Sequence, residues 1–216
     1  MSEDEPLIRW DWIRDHYGLF GDLTAEHLKL SLLPVLLGLL VSVPLGVLCA
    51  RWRGLYPPVL TAVNILYSLP SLALFLVLLD YTGLTLWTVV IPLTLYTLSV
   101  LVPNVVDGLR QVPESTRQAA VAMGYTPLRR LISVELPIAV PVIIAGVRVA
   151  TVSTISLVSV GALIGIGGLG SLFKTGFDLQ FSTPVLAGIV LIIVLAVLFD
   201  LALVLLQRLL TPWAAR

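Results

Sequence analysis

The 216-residue sequence is 58% hydrophobic and only 12% charged, where an ordinary soluble domain carries about 25% charged residues, so a soluble globule of this size is excluded. Thirteen Lys and Arg against thirteen Asp and Glu leave no net charge. There is neither a basic field for nucleic acid nor a disordered acidic tail.

From the N-terminus, Glu3, Asp4, Glu5, Asp11, Asp15, Asp22 and Glu26 precede the first long apolar run. This acidic stretch, residues 1–26, lacks the basic start of a cleaved signal peptide and is expected to remain attached. Residues 7–17 mix Trp10, Trp12 and Tyr17 with charges, which suits a short helix at headgroup level. Five charge-free runs follow, at 30–50, 54–79, 81–106, 149–173 and 179–199. Each is long enough to cross a hydrocarbon core of about 30 Å as a helix of roughly 20 residues, and none alternates like a barrel strand. A further apolar run at 136–147 is too short to span and continues into the fourth run through Arg148. The expected architecture is an all-α membrane domain over 27–207 with five transmembrane helices, at about 28–50, 58–79, 84–106, 138–165 and 184–206. Six spans are the alternative. Residues 107–135 form a loop segment, 167–183 a connecting segment and 208–216 a tail.

An odd number of spans puts the termini on opposite sides. One side collects eight basic residues, Arg51, Arg53, Arg110, Arg117, Arg129, Arg130, Arg208 and Arg216; the other has four, beside nine acids. Positive charge marks the cytoplasm, so the N-terminus is expected outside and the C-terminus inside. Cys49 is the only cysteine, and His16 and His27 form no spaced cluster. Neither a disulfide nor a metal site is expected, and no cofactor is implied.

Gly165, Gly167 and Gly170 satisfy G-x-G-x-x-G, but a dinucleotide fold needs a strand before it, a helix after it and an acid about 20 residues on. Here the run ends a membrane helix. In the near-Walker stretch 168–175, Phe173 replaces the glycine before Lys174 and Thr175, which blocks a phosphate cradle. Gly161, Gly165, Gly167, Gly168 and Gly170 are read either as tight packing, with Gly161 and Gly165 at small-xxx-small spacing, or as a segment that shapes or closes a permeation path.

In the segment 107–135, Pro113 and Glu114 suit a helix start, and Gly124 a left-handed stop. Thr126 and Pro127 suit a second N-cap and first turn, and Leu136-Pro137 leads into the next span. Two short helices with a sharp bend between them are expected. Ala119, Ala120 and Ala122 keep the first one thin enough to insert into a groove on another protein, while Arg117, Arg129 and Arg130 are expected to pair with acids on that partner.

Gln118-Ala119-Ala120, three residues, Gly124, nine residues and Val134-Glu135-Leu136-Pro137 resemble the EAA motif of ABC importer permeases, E-A-A-x3-G-x9-I-x-L-P. Gln118 replaces the motif glutamate and removes its charge; Val134 replaces the isoleucine. Asn64 to Ala73, Asn104 to Gly108, and Ala162 to Gly170 with Gly176 are similar to permeases of osmoprotectant importers, which serve glycine betaine, choline, carnitine and related compounds. The resemblance implies a type I importer fold, a second permease subunit, cytoplasmic ATPase subunits and an external substrate-binding protein. It also implies ATPase docking on Arg117, Gln118, Ala119, Ala120, Gly124, Arg129, Leu136 and Pro137. With no nucleotide site of its own, the chain is not expected to be an enzyme. The 107–135 element is expected to move as a lever while the spans rock to open the path alternately.

Candidate path-lining groups are Asn64, Ser68 and Ser71 in the second span and Ser153, Thr154, Ser156 and Ser159 in the fourth; the alternative is that they satisfy backbone or neighbouring helices. Arg148 and Asp200 are charges within spans, expensive unless they face protein or water, and a pair between them is one reading. Tyr67, Trp87 and Tyr96 make no clustered box for a quaternary ammonium, so selectivity is expected to lie on the binding protein. The competing readings are an importer permease for another small solute, such as an amino acid, and a secondary transporter or channel subunit. The latter predicts internal repeats and ionisable relays, and no clear repeat is present.

Overall fold

The computed structural model describes residues 8–212. Glu3, Asp4, Glu5 and Arg216 therefore lie outside the described residues. Every regular element among the described residues is helical. The order is α1 (Trp10–Asp15), α2 (Tyr17–Arg51), α3 (Tyr56–Ser68), α4 (Ser71–Thr82), α5 (Trp87–Arg110), α6 (Glu114–Ala122), α7 (Pro127–Arg130), α8 (Leu136–Val158), α9 (Ser171–Asp178) and α10 (Ser182–Leu210).

Four helical stretches are long and apolar enough to cross a membrane: Tyr17–Arg51, Trp87–Arg110, Pro127–Ile164 and Ser182–Leu210. A fifth span exists only if α3 and α4 are taken together across a break. The expected second span, 58–79, is bent by 89° at this break. Proline disfavours helical backbone at the residue before it, and α3 ends just ahead of Leu69-Pro70, where Pro70 is extended (φ −62°, ψ 128°) and caps α4. Elsewhere prolines do not interrupt: α2 runs as helix through Pro34 and Pro44, and α5 through Pro92 and Pro103. The helix that carries the first apolar run starts ahead of it, since α2 has 35 residues and a length of about 52 Å.

Contacts divide the chain into two compact units. Among the described residues, one contains 8–34, Leu69–Leu93 and Val152–Leu198. Within it, α4 packs on a tight helical turn, Ser159–Ile164, and Phe75 and Ile155 are fully buried. The N-terminal segment packs onto the rest of this unit. Arg9 donates its backbone N–H to Oγ1 of Thr183 at 3.0 Å and stacks its guanidinium over Phe181, while Trp12 meets the Phe181 ring edge-on at 5.7 Å. The 167–183 connection is itself largely helical, with α9 at its centre.

The other unit contains Val35–Ser68, Thr94–Thr151 and the chain from Phe199 on. Its core follows α5, whose Leu101, Val102, Val105 and Val106 have no exposed surface. Small residues let neighbouring helices reach that core. A Cβ at Gly46 would meet the Val105 side chain, one at Gly108 would lie 3.0 Å from the Ala139 carbonyl oxygen, and one at Gly146 would lie 2.7 Å from Asn104.

Candidate functional site

The segment after α5 is built as a helix, a left-handed turn and a second helix. Gly124 takes φ +80°. Its N–H bonds to the Val121 carbonyl at 2.9 Å and the Tyr125 N–H to that of Ala120 at 3.0 Å, the two bonds of a Schellman stop that favours glycine at the left-handed position. Thr126 then caps α7, its Oγ1 accepting from the Arg129 N–H, with Pro127 in the first turn.

The second helix is not a separate short element, as the sequence suggested. It continues through a widened turn, Leu131–Glu135, into α8, with the Leu136 N–H bonded to the Leu131 carbonyl. Pro137 lacks an N–H, so an ordinary turn would leave the carbonyl four residues before it without a partner. Widened turns relieve such mismatches and recur at functional sites. Leu136-Pro137 therefore lies within one continuous helical rod.

That rod brings Glu135 back towards α6. Glu135 is 7% exposed; its Oε1 accepts from Arg130 Nε at 2.8 Å and lies 3.9 Å from Arg117 Nε. Arg117 also donates Nη2–H to the Leu109 carbonyl at 2.6 Å and pairs with Glu114 at 3.5 Å. Arg117 and Arg130, read from the sequence as reaching for acids on a partner, both pair with acids within the segment. Arg129 lies over the Tyr125 ring, 4.6 Å from its centroid. The missing charge at Gln118 leaves no gap in this network, since Glu135 supplies the buried carboxylate. Gln118 and Ala119 are exposed and Ala120 is buried. A concavity of about 560 Å³ is lined by Arg51, Glu114, Arg117, Gln118, Arg130 and Glu135, among others.

Arg148 on α8 and Asp200 on α10 form a two-point ion pair, Nε to Oδ1 at 2.7 Å and Nη2 to Oδ2 at 2.8 Å. The planar fork of arginine matches a carboxylate in this way. In the same unit, Asn64 and Ser68 sit one turn apart and exposed on α3. Ser68 spends its hydroxyl on the Ile65 carbonyl at 2.7 Å. Tyr67 and Tyr96 meet edge-on at 5.5 Å, a contact between two rings that spacing along the chain did not reveal. They are a pair and not a cage.

In the other unit, Ser71, Ser153 and Ser159 are half-buried, Ser156 is exposed and Thr154 is buried. The glycines are arranged differently from a helix-packing stripe, because Gly161 falls in the Ser159–Ile164 turn and Gly165 lies just beyond it. Gly165 takes φ +85° and closes a second Schellman stop, with the Gly165 N–H on Ala162 and the Ile166 N–H on Gly161. A Cβ at Gly161 would strike the Ile166 carbonyl, and one at Gly167 the Ala162 backbone. At Gly168 it would lie 2.7 Å from the His27 backbone, and at Gly170 2.6 Å from that of Ser159.

His27 was missed as a structural centre. Noted in the sequence only as forming no metal-ligand cluster, it has no exposed surface and holds the Ile155 carbonyl through Nε2 at 2.9 Å. Glycine-rich sequence ahead was the only available signal, since only glycine allows the chain so close to the His27 backbone. Among the described residues no group of His, Cys, Asp or Glu is placed to hold a metal ion.

Apolar spans and a capped, buried-acid loop segment define a multi-pass membrane permease of the type I ABC importer fold. Residues 42–212 match the family described as the binding-protein-dependent transport system inner membrane component, and the chain belongs to that family. It is 37% identical to the osmoprotectant import permease OsmW of Salmonella typhimurium, over 95% of this chain and 98% of that one. It is 34% identical to the choline transport permease OpuBB of Bacillus subtilis, over 88% and 87%. Among solved structures, an inward-facing MetNI methionine ABC transporter matches with a TM-score of 0.77 at 24% identity, covering 98% of this chain and 100% of that one. An amino acid ABC transporter matches at 0.71 and 18%, covering 93% and 98%. These last two speak for the fold alone.

Proposed function

We propose that the chain is the membrane subunit of an ATP-driven importer that moves a small osmoprotectant, such as glycine betaine, choline or carnitine, into the cell. The observation that carries the substrate class is the near-full-length similarity to OsmW, supported by choline and carnitine permeases at 34–36% identity.

The N-terminus is outside and the C-terminus cytoplasmic. Cytoplasmic ATPase subunits dock on the exposed face of α6 and the following turn, with Gln118, Ala119 and Arg129 at the surface and Ala120, Gly124, Leu136 and Pro137 setting its shape. Arg117 holds α6 to its own chain. ATP is hydrolysed on those partners. A second permease subunit, identical or homologous, completes the path, an external binding protein delivers substrate, and lipid surrounds the rest. Asn64, Ser68, Ser71, Ser153, Thr154, Ser156 and Ser159 border the path, and the Gly161 to Gly170 segment shapes its closure. The Tyr67 and Tyr96 pair is too small to cage a quaternary ammonium, which supports placing selectivity on the binding protein.

The test is uptake of labelled choline, carnitine and glycine betaine by cells stripped of their own importers and given this permease with its ATPase and binding protein. ATP-dependent accumulation of at least one supports the reading. Accumulation of an amino acid instead, with none of the three, would overturn the substrate class while leaving the permease role standing.

A further inference from the structure

Ala50, Arg53, Arg110 and Arg117 line a concavity of about 400 Å³. Local causes explain some of these arginines singly. Arg110 lies in the last turn of α5, where a cation suits the helix dipole, and Arg117 holds the Leu109 carbonyl. Neither cause explains why Arg53 and Arg110 line one hollow beside Arg117, whose own charge is matched by Glu114 and Glu135. Arg110 stacks over Tyr56, 4.7 Å from the ring centroid, and neither it nor Arg53 forms an ion pair among the described residues. Two unpaired cations at one hollow repel, and an anion held between them relieves that repulsion.

The surroundings indicate which anion. Arg53 follows Trp52, which is 65% exposed just past the end of an apolar 35-residue helix. Tryptophan collects at headgroup level, and basic pockets at the cytoplasmic ends of membrane helices take phosphate-bearing lipid headgroups. Guanidinium groups suit such oxygens by their forked geometry.

We propose that Arg53, Arg110 and Arg117 form a phosphate-group site occupied by the headgroup of an anionic phospholipid of the cytoplasmic leaflet. The leaflet rests on the orientation proposed above; the headgroup chemistry does not. The site clamps the end of α2, the end of α5 and α6 together through one ligand, so a lipid would stiffen the segment that carries α6.

The experiment is native mass spectrometry of the permease purified with its ATPase subunits in a mild detergent containing phosphatidylglycerol and phosphatidylcholine, with a parallel arm containing inorganic phosphate. Phosphatidylglycerol should be retained over phosphatidylcholine, and retention should fall about fivefold for each arginine removed in Arg53→Gln and Arg53→Gln/Arg110→Gln. Arg53→Lys/Arg110→Lys should retain most of it. Thermal melting and ATPase co-purification, read on every sample, identify any variant that fails to fold; the exposed-loop change Arg53→Gln and the lysine pair then carry the test. Equal retention of the two lipids, or retention unchanged in the glutamine variants, would overturn the site. Displacement of the lipid by inorganic phosphate, with phosphate held in an arginine-dependent way, would overturn the lipid as occupant. Loss of the ATPase with lipid retention unchanged would show that these arginines serve protein docking. None of these readouts depends on which solute is imported.

Discussion

Arg130 donates Nε–H to the buried carboxylate of Glu135 at 2.8 Å, so the segment that carries α6 is closed by an ion pair within the chain. Arg117 Nε lies 3.9 Å from the same carboxylate oxygen. Glu135→Gln removes the charge both arginines share and leaves two partly buried cations facing an amide. The expected cost is about 1–3 kcal/mol, read as a lower melting temperature and weaker ATPase co-purification. Glu135→Asp should fall between the two. A Glu135→Gln variant that melted and co-purified like the parent would sink this account.

Gly124 offers a different kind of test, because nothing lies within 4 Å of a Cβ built on it. Gly124→Ala is therefore opposed only by its left-handed backbone, at about 1 kcal/mol, and Gly124→Asn should be milder. A bulky residue here, or at the buried Ala120, should leave the protein in the membrane while ATP hydrolysis no longer drives uptake in vesicles. Full uptake by both bulky variants would refute the lever role of the segment.

For Arg148 and Asp200, reversing either charge alone places two like charges at the contact. Membrane-embedded yield of Arg148→Asp or Asp200→Arg should drop several-fold, because an unpaired charge in a span is expensive. The double reversal should recover much of it, since the two-point geometry can form the other way round. Yield of the double no better than the worse single would argue that the pair is incidental.

Gly168 and Gly165 both have positive φ, yet they should respond differently to substitution. At Gly168 an added methyl would meet the His27 backbone at 2.7 Å, whereas at Gly165 it meets nothing within 4 Å. Gly168→Ala should destabilise by about 1–3 kcal/mol from overpacking in addition to backbone strain. Gly165→Asn should be nearly neutral, because asparagine tolerates the left-handed region. Melting temperatures of the two variants in detergent decide the matter, and equal losses would remove the close approach as the explanation.

Much of this was legible along the chain because the signals are local. Charge-free runs announce spans, and a Pro-Glu start at Pro113 with a glycine at Gly124 announces a short helix with a left-handed end. The spacing from Gln118 to Pro137 carried the family. Other features were illegible for a physical reason. Pro34, Pro44, Pro92 and Pro103 look like Pro70 in sequence, yet only at Pro70 does the helix break, because neighbouring packing decides whether a freed carbonyl is tolerated. His27 directly follows the acidic stretch in sequence, and its burial depends on glycines more than 130 residues away.

The sequence by itself determined a multi-pass helical membrane protein with a two-helix loop segment, since hydrophobic run length and turn chemistry act over a few residues and need no partner from elsewhere in the chain. Only the tertiary structure decided which charges were already spent. Arg117 and Arg130 read as free hands for another protein, and the fold turns them inward to Glu135, because a carboxylate buried by the continuous α7 to α8 rod must be paired where it lies. It left Arg53 and Arg110 beside Arg117 around one hollow, a convergence of three chain segments that no linear spacing specifies.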